Sequence, residues 1–205
     1  VLVYKKIFRN YINDNTDKNG SDRYFKANAS DCSIVEGMLK ELNSDYLILE
    51  KDITVYEDIL DIYKETITKF GKVDILVNNA ADCDLDGNDT IELINQKIFD
   101  DTFNVNVRGS ILMIKEMINN RGDYGRIINL STDAAQTFPG QILYGSSKAT
   151  IEALTRSIAL EVAKYGITVN CIAPGPTQTG WIDEELEKAV LPVIPMGALI
   201  EPSDI

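Results

Sequence analysis

Tyr144 and Lys148 are spaced so that the lysine can assist acid–base chemistry by the tyrosine. On a helix, residues four apart share a face, so we expect the Lys148 ammonium close to the Tyr144 phenol. A nearby positive charge favours the phenolate and lowers a phenol pKa that starts near about 10. Ser131 stands thirteen residues before the tyrosine, after an apolar run, and adds a hydroxyl that can bind an oxyanion. The three residues together predict proton-transfer chemistry.

The same spacing also occurs by chance on an ordinary solvent-facing helix. The Tyr144–Lys148 pair therefore has two interpretations when taken alone. The elements that carry the two residues and the other motifs of the chain decide between them.

Composition excludes several classes of function. The chain has 205 residues, of which 44% are apolar and 25% charged, as in a globular protein of one domain. A net charge of −12 argues against nucleic acid or an anionic membrane as a partner. Histidine is absent, which removes serine–histidine hydrolases and most transition-metal sites, so we predict no metal site.

Cysteine usage and hydropathy bear on location. Cys32, Cys83 and Cys171 are scattered and lack a Cys-x-x-Cys spacing, which favours a reducing, cytoplasmic environment over a disulfide framework. No apolar stretch approaches the roughly 20 residues that a membrane-spanning helix needs. We therefore expect a cytoplasmic protein that does not enter a membrane.

Strand-like and helix-like segments alternate along the chain. Short β-rich or apolar segments predict strands at residues 1–4, 46–49, 73–77, 126–130 and 167–172. Longer segments with helical spacing predict helices at about 31–43, 54–70, 90–119, with an interruption near Val105 and Val107, and 144–164. This alternation predicts an α/β fold, a doubly wound parallel sheet covered on both faces, in a single domain over residues 1–205.

Polar residues or a proline follow several of the predicted strands. Ligands of parallel sheets bind beyond the carboxyl ends of the strands. Asp52, Asn79, Ser131 and Pro174 all lie just after such ends, so we expect them to line one crevice. Each also has an ordinary interpretation as a cap, a turn former or a loop breaker.

Several short segments, in order along nearly the whole chain, resemble motifs of the short-chain dehydrogenase/reductase family. They are Asp52-Ile53, Val77-Asn78-Asn79-Ala80, Asn106 within Val105-Asn106-Val107, Ser131 with Tyr144 and Lys148, and Pro174-Gly175-Pro176-Thr177-Gln178-Thr179. Ala81 replaces a glycine of the family pattern. The chain is most similar to members described as 3-oxoacyl-acyl-carrier-protein reductase-like. The resemblance implies a Rossmann-like fold and hydride transfer between NAD(P)(H) and a small carbonyl or alcohol substrate.

The resemblance also implies roles for four catalytic residues. Tyr144 gives a proton to the carbonyl oxygen or removes one from an alcohol. Lys148 lowers the tyrosine pKa and binds the nicotinamide ribose. Ser131 hydrogen-bonds the substrate oxygen, and Asn106 holds a water that connects Lys148 to solvent.

Cofactor contacts follow from the same resemblance. Asp52 and Ile53 correspond to the position that touches the adenine ring, and Asn79 and Ala80 to the turn after the next strand. The remaining cofactor-binding residues implied are Pro174, Gly175, Thr177 and Thr179 near the nicotinamide, together with Tyr144 and Lys148.

The family's glycine-rich loop, Thr-Gly-x-x-x-Gly-x-Gly, has no counterpart in residues 1–205. This loop normally binds the cofactor pyrophosphate through backbone amides at a helix N-terminus. We expect a chain truncated at both ends, which lacks the first strand with this loop and the last helix and strand. We further expect the 205-residue chain to bind dinucleotide poorly; micromolar affinity in an NADPH titration would contradict this.

The preferred cofactor and the partners are less constrained. An acidic residue after the first predicted strand would favour NAD, but Lys5 and Lys6 follow this strand. We therefore expect NADP as the cofactor, with NAD possible. Both lysines can also be ordinary loop residues. By resemblance, the helices that start near Thr90 and Tyr144 form a homo-oligomer interface, giving a dimer or tetramer of the full-length protein. The alternatives are a non-catalytic nucleotide-binding or scaffold protein of the same fold, a sugar or polyol dehydrogenase, and an inactive fragment.

Overall fold

The computed structural model describes residues 45–84, 87–137, 139–179 and 182–205. The strand predicted at residues 1–4, the helix predicted at about 31–43, and Lys5 and Lys6 lie outside these residues.

Helices and parallel strands alternate in the described chain, as predicted. The α-helices are α1 (Tyr56–Phe70), α2 (Gln96–Phe103), α3 (Ser110–Asn119), α4 (Ile142–Val162) and α5 (Glu184–Val190). The strands are β1 (Ile75–Asn78), β2 (Gly125–Leu130) and β3 (Ile167–Ile172). Short 3₁₀ helices span Asp133–Ala135, Ala163–Tyr165, Leu191–Val193 and Pro202–Asp204. None of these described helices is both long enough and apolar enough to cross a membrane.

The described strands form one parallel sheet in the order β1-β2-β3. Leu76 of β1 pairs with Ile127 of β2, which pairs in turn with Val169 of β3. These three side chains are buried on one face and join the main apolar core. The predicted α/β fold with a parallel sheet is confirmed.

Helices α3 and α4 pack against this buried face. Gly125 lies so close to the Met117 side chain of α3 that an added Cβ would be 3.0 Å from its Cε. Four residues further along β2, Asn129 donates to the Thr155 hydroxyl of α4 at 2.9 Å. Helix α1 packs on α3, where the Tyr63 hydroxyl donates to the Met113 carbonyl at 2.7 Å.

The opposite face of the sheet is open in the described structure. Ile75 and Val77 are each 52% exposed, so among the described residues β1 is covered on one face only, whereas a sheet covered on both faces was predicted. Successive strand residues point to opposite faces, and an apolar run is buried throughout only where both faces are covered.

No strand is assigned at residues 46–49, where one was predicted. A strand is defined by hydrogen bonds to a neighbour, and β-propensity alone does not supply one. The burial expected of this segment is nevertheless present, because Leu49 is buried and Leu47 packs against the core.

The long helix predicted at 90–119 is interrupted where its β-branched residues stand. Residues Asn104–Gly109 form a π-helical segment between α2 and α3, so the chain continues with a locally wider turn. Such segments are frequent at functional sites. Glycines end helices as predicted: Gly71 follows α1 at φ +83° and Gly166 follows α4 and its 3₁₀ turn at φ +70°.

Candidate active site

Tyr144 and Lys148 lie on one side of the first turns of α4, as their spacing predicts. The Lys148 ammonium nitrogen is 5.7 Å from the centre of the Tyr144 ring. Lys148 is only 3% exposed and the tyrosine is partly buried. The ammonium donates to the carbonyl of Leu130, the last residue of β2, at 2.7 Å. The pair therefore lies at the carboxyl end of the sheet, where ligands of parallel sheets bind.

Burial controls the ionisation of both side chains. It raises the pKa of Tyr144 to about 12, with the nearby Cys83 thiol acting in the same direction. It lowers the pKa of Lys148 to about 8, against the opposing influence of Cys171 and Cys83. The expectation that Lys148 lowers the tyrosine pKa is not met in this structure, where burial is the largest influence on that pKa and raises it.

The Ser131 hydroxyl forms its hydrogen bonds with α4. It donates to Oε1 of Glu152 on α4 at 2.7 Å and lies 3.5 Å from the Lys148 carbonyl oxygen. The Ser131 backbone N–H donates to Ile172 at 2.7 Å, which extends the pairing of β2 with β3. The residue is 5% exposed. The structure thus places Ser131 in the right neighbourhood but gives its hydroxyl a partner inside the protein.

Thr132, the next residue, influences the ionisation of the tyrosine. Its side chain lowers the pKa of Tyr144 against the larger, opposing effect of burial. The Thr132 hydroxyl also donates to the Asp133 carboxylate at 3.0 Å. Asp133 is exposed, and its backbone N–H donates to Pro174 at 3.2 Å, which links this loop to the segment after β3.

Asn106, in the π-helical segment, fixes the loop after β1. Its Oδ1 accepts the backbone N–H of Asp82 at 2.7 Å, and its Nδ2 donates to the Asp82 carbonyl at 2.8 Å. The same Nδ2 donates to Ser147 of α4 at 2.9 Å. Asn106 therefore ties the β1 loop to the helix that carries Tyr144, and its amide is 1% exposed. A water held for Lys148 stays a prediction.

Asp89 anchors the start of α4 from a distant loop. Its carboxylate accepts the backbone N–H of Leu143 at 2.7 Å and of Tyr144 at 2.9 Å. Its own carbonyl accepts the N–H of Ile142 at 3.2 Å. Asp89 is 1% exposed. Three of the N–H groups that a helix leaves unpaired at its start are thereby satisfied by one residue.

A buried chain of amides joins the strand ends to α4. Asn78 of β1 donates to Asn129 of β2 at 2.8 Å, Asn129 donates to Thr155, and the Thr155 hydroxyl donates to the Ile151 carbonyl at 2.8 Å. Every member is buried. A fully bonded chain of this kind holds the two strand ends and the helix in a fixed relation.

The predicted cofactor residues after β1 and β3 lie around this edge of the sheet. Asn79 is exposed and Ala80 packs against the core just beyond β1. Gly175 would carry a Cβ 3.5 Å from Ile200, and Thr177 forms an isolated bridge with the same residue. Thr179 is exposed and its N–H donates to Thr177 at 2.9 Å.

Asp52 and Ile53 have structural roles at the entrance to α1. The Asp52 carboxylate accepts the Thr54 N–H at 2.8 Å, and its own N–H donates to Asp58 at 2.7 Å. The Ile53 side chain is buried against Gly109. These contacts match the cap interpretation of Asp52, and contact with adenine stays a prediction.

Sequence reasoning missed Asp89, which anchors the start of α4, and Glu152, the partner of Ser131. No local pattern connects Asp89 to a helix that starts more than fifty residues later.

The fold and the site define a Rossmann-like α/β protein with a tyrosine–lysine pair on a helix beside the strand ends. Residues 23–205 match the family model described as enoyl-(acyl carrier protein) reductase. The chain belongs to the short-chain dehydrogenase/reductase family, among relatives that include 3-oxoacyl-acyl-carrier-protein reductases, as the resemblance indicated.

Individual relatives agree with this assignment. The chain is 39% identical over 149 residues to (2S)-[(R)-hydroxy(phenyl)methyl]succinyl-CoA dehydrogenase subunit BbsD of Thauera aromatica, covering 69% of this chain and 58% of that protein. It is 36% identical over 151 residues to the 3-oxoacyl-[acyl-carrier-protein] reductase FabG of Rickettsia conorii, covering 69% and 60%. The crystal structure of a dehydrogenase/reductase from Sinorhizobium meliloti 1021 matches with a TM-score of 0.80 at 30% identity, covering 88% of this chain and 72% of that one. The chain thus spans less than two thirds of the length of the first two relatives.

Proposed function

We propose that the protein is an NAD(P)(H)-dependent oxidoreductase that interconverts a carbonyl and a secondary alcohol, with Tyr144 as the proton donor or acceptor. The observation that carries the proposal is the placement of Tyr144 and buried Lys148 on one side of α4, beside a hydroxyl at the end of β2. Acid–base groups of this kind contribute typically about 10²–10⁴-fold to a rate.

The ionisation of the pair supports reduction as the favoured direction. A pKa of about 12 keeps the Tyr144 phenol protonated at neutral pH, which is the form that donates a proton to a developing alkoxide. Lys148, with a pKa of about 8, is largely an ammonium at pH 7 and supports negative charge near the phenol. Ser131, by prediction, provides the hydroxyl that binds the substrate oxygen.

The residues present fit the nicotinamide ribose end of a dinucleotide. The Lys148 ammonium has three N–H donors, and one of them bonds the Leu130 carbonyl. The others are available for the hydroxyls of a ribose. Asn79 and Thr179 are exposed at the same edge of the sheet. A bound nicotinamide would supply or accept the hydride. NADP is proposed over NAD only because Lys5 and Lys6 follow the first predicted strand.

The proposed partners are small molecules and further copies of the chain. The names of two relatives specify acyl groups on coenzyme A or on acyl carrier protein, so acyl thioesters belong among the carbonyl compounds to be assayed. On α4, Leu160 is 84% exposed, and on α2, Phe99 is 45% exposed, which supports a homo-oligomer through these helices. A cytoplasmic location is part of the same proposal.

Tyr144→Phe tests the proposal in the full-length protein. Loss of the phenol hydroxyl should lower kcat for carbonyl reduction by NADPH at least about 100-fold. Tyr124→Phe is the matched control, because Tyr124 is 46% exposed and stacks on Arg126 away from the site. An unchanged rate in Tyr144→Phe would leave the non-catalytic alternative, a protein that binds nucleotide without turnover.

A further inference from the structure

We infer that Ser147 is a positioning residue for the proposed reaction, because its side chain links Asn106 to the backbone of Tyr144. The inference rests on the proposed function and adds to it a residue that acts through the tyrosine. Ser147 is 0% exposed and directly precedes Lys148 in α4. Its hydroxyl accepts from the Asn106 amide at 2.9 Å and donates to the Tyr144 carbonyl at 2.7 Å. Both hydrogen-bonding functions of this buried hydroxyl are therefore used inside the protein.

The acceptor of the Ser147 hydroxyl differs from that of other hydroxyls on the same helix. Serine and threonine in helices commonly bond back to a carbonyl of the preceding turn. Donation to the carbonyl four residues back is seen at Thr150, Thr155 and Ser157. Ser147 instead donates three residues back, so its bond falls on Tyr144 and not on Leu143. The peptide group of the tyrosine is thereby bonded to a buried side chain.

The backbone of Tyr144 is held on both sides by buried side chains. Its N–H donates to the Asp89 carboxylate at 2.9 Å, and its carbonyl accepts from the Ser147 hydroxyl at 2.7 Å. In an α-helix the same carbonyl also accepts the N–H of the residue four positions later, which here is Lys148. Ser147 therefore bonds where the helix turn joins the tyrosine to the lysine.

Both contacts of the tyrosine backbone lead to the loop between β1 and α2. Asp89 belongs to this loop, and Ser147 reaches it through Asn106. The Asn106 side chain bonds the backbone N–H of Asp82 at 2.7 Å and its carbonyl at 2.8 Å. Asn106 and Ser147 are at most 1% exposed, and hydrogen bonds in so buried a network are stronger than in water. The loop thus holds Tyr144 at its N–H and at its carbonyl.

Loss of the Ser147 hydroxyl should displace the phenol without removing any group that binds a ligand. Ser147→Ala deletes the bond to the Tyr144 carbonyl and leaves the Asn106 amide bonded to Asp82 alone. The helix itself should persist, because alanine is the best helix former. Since a misplacement of about 1 Å can slow a reaction about 10²-fold, we expect kcat to fall about 10–100-fold while KM stays within about twofold.

Two further variants of the full-length protein show whether the hydroxyl itself is responsible. Ser147→Cys has a similar shape and keeps a weak donor, so it should recover part of the lost kcat. Ser157→Ala is the matched control, because it is the same substitution on the same helix at an exposed position. We expect Ser157→Ala to keep the kcat and KM of the wild type.

A second measurement does not depend on turnover. In the 205-residue chain labelled with ¹³Cζ-tyrosine, the Tyr144 resonance is identified by its loss in Tyr144→Phe. Thr155→Val serves as a buried control for general loosening of α4. The Thr155 hydroxyl is bonded as that of Ser147 is, accepting from Asn129 at 2.9 Å and donating to Ile151 at 2.8 Å, but it does not bond the tyrosine.

We expect the Tyr144 resonance to shift in Ser147→Ala, to shift less in Ser147→Cys, and to stay in place in Thr155→Val and Ser157→Ala. An unshifted resonance in Ser147→Ala, or an equal shift in Thr155→Val, would overturn the inference, as would a loss that appears in KM and not in kcat. If Ser147→Ala does not fold, Ser147→Cys decides by the same two measurements. Absence of reductase activity in every form, wild type included, would refute the proposed function, and the resonance would still decide whether Ser147 positions Tyr144.

Discussion

The buried carboxylate of Asp89 accepts the backbone N–H of Tyr144 at 2.9 Å and so fixes the helix turn that carries the phenol. Asp89→Asn keeps the shape but replaces one acceptor oxygen by an N–H₂ group, which leaves a backbone N–H without a partner. We expect the free energy of unfolding to fall by about 1–3 kcal/mol, measured by urea denaturation. Loss of a negative charge at a helix N-terminus acts in the same direction.

Asp123→Asn is the control for this change. It removes the same negative charge from the chain, at a position that is exposed. If Asp89 acts through Tyr144, reductase kcat should also fall in Asp89→Asn while Asp123→Asn leaves it intact. Equal stability of the two variants would contradict the anchoring role.

Gly145 is required by the close contact between α4 and the loop that carries Ser131 and Thr132. A Cβ at this position would lie 2.6 Å from the Ala134 carbonyl oxygen, which is backbone and cannot turn aside. Gly145→Ala should therefore push the loop away from the helix and lower the free energy of unfolding by about 1–3 kcal/mol. Because the loop lies beside Tyr144, kcat should also fall. Ser146→Ala, at the exposed neighbouring position, should change neither. A Gly145→Ala variant with wild-type stability would show that the loop can move freely.

Asn106 is irreplaceable by aspartate because its amide both accepts from and donates to the backbone of Asp82. Asn106→Asp would place a carboxylate against the Asp82 carbonyl in a site that is 1% exposed. We expect a loss of at least about 1–3 kcal/mol at pH 7. The defect should shrink as the pH falls and the new carboxyl becomes protonated, since it then regains a donor. A defect that is independent of pH would point to packing alone.

The sequence predicted the helices and strands better than the hydrogen-bond partners of the side chains at the site. Strand β3 was predicted with its observed bounds, because buried β-branched runs and a closing Gly166 are local signals. The pairing of Lys148 with Tyr144 was also predictable, since helical geometry fixes it. The role of Ser131, selected by a thirteen-residue interval, stays a prediction; its bond with Glu152 could not be predicted, because it depends on how β2 and α4 pack.

Asp89 shows a second limit of sequence reasoning. The search for a helix cap looks at the residue just before the helix, and Gln141 there makes no side-chain cap bond. The cap comes instead from a carboxylate brought near by the fold of the β1–α2 loop. Similarly, spacing predicted a lowered pKa for Tyr144, which holds only if the phenol stays hydrated. Spacing does not show that the phenol is buried, and burial raises its pKa.

Lys148 should make stability depend on pH between about 8 and 10.5. Its pKa is about 8 in the folded protein, against the ordinary value of 10.5 expected in the unfolded chain. Below pH 8 both states hold the proton, so folding bears the full cost of burying the charge. As pH rises from 8 to 10.5 the folded state gives up its proton while the unfolded state keeps it. The unfolded state then binds more protons, and stability attributable to Lys148 rises with pH.

Lys148→Met isolates this effect, because methionine has a similar length and does not titrate. The difference in unfolding free energy between Lys148→Met and wild type should move in favour of wild type by about 2–3 kcal/mol from pH 7 to pH 10. The series should stop near pH 10, because Tyr144, whose pKa is raised to about 12, loses stability above that point as the unfolded phenol ionises first. Both proteins share this tyrosine, so its influence largely cancels in the difference. A difference that stays constant over the same range would mean that Lys148 is hydrated in solution, and that the carbonyl of Leu130 does not hold its ammonium in a buried position.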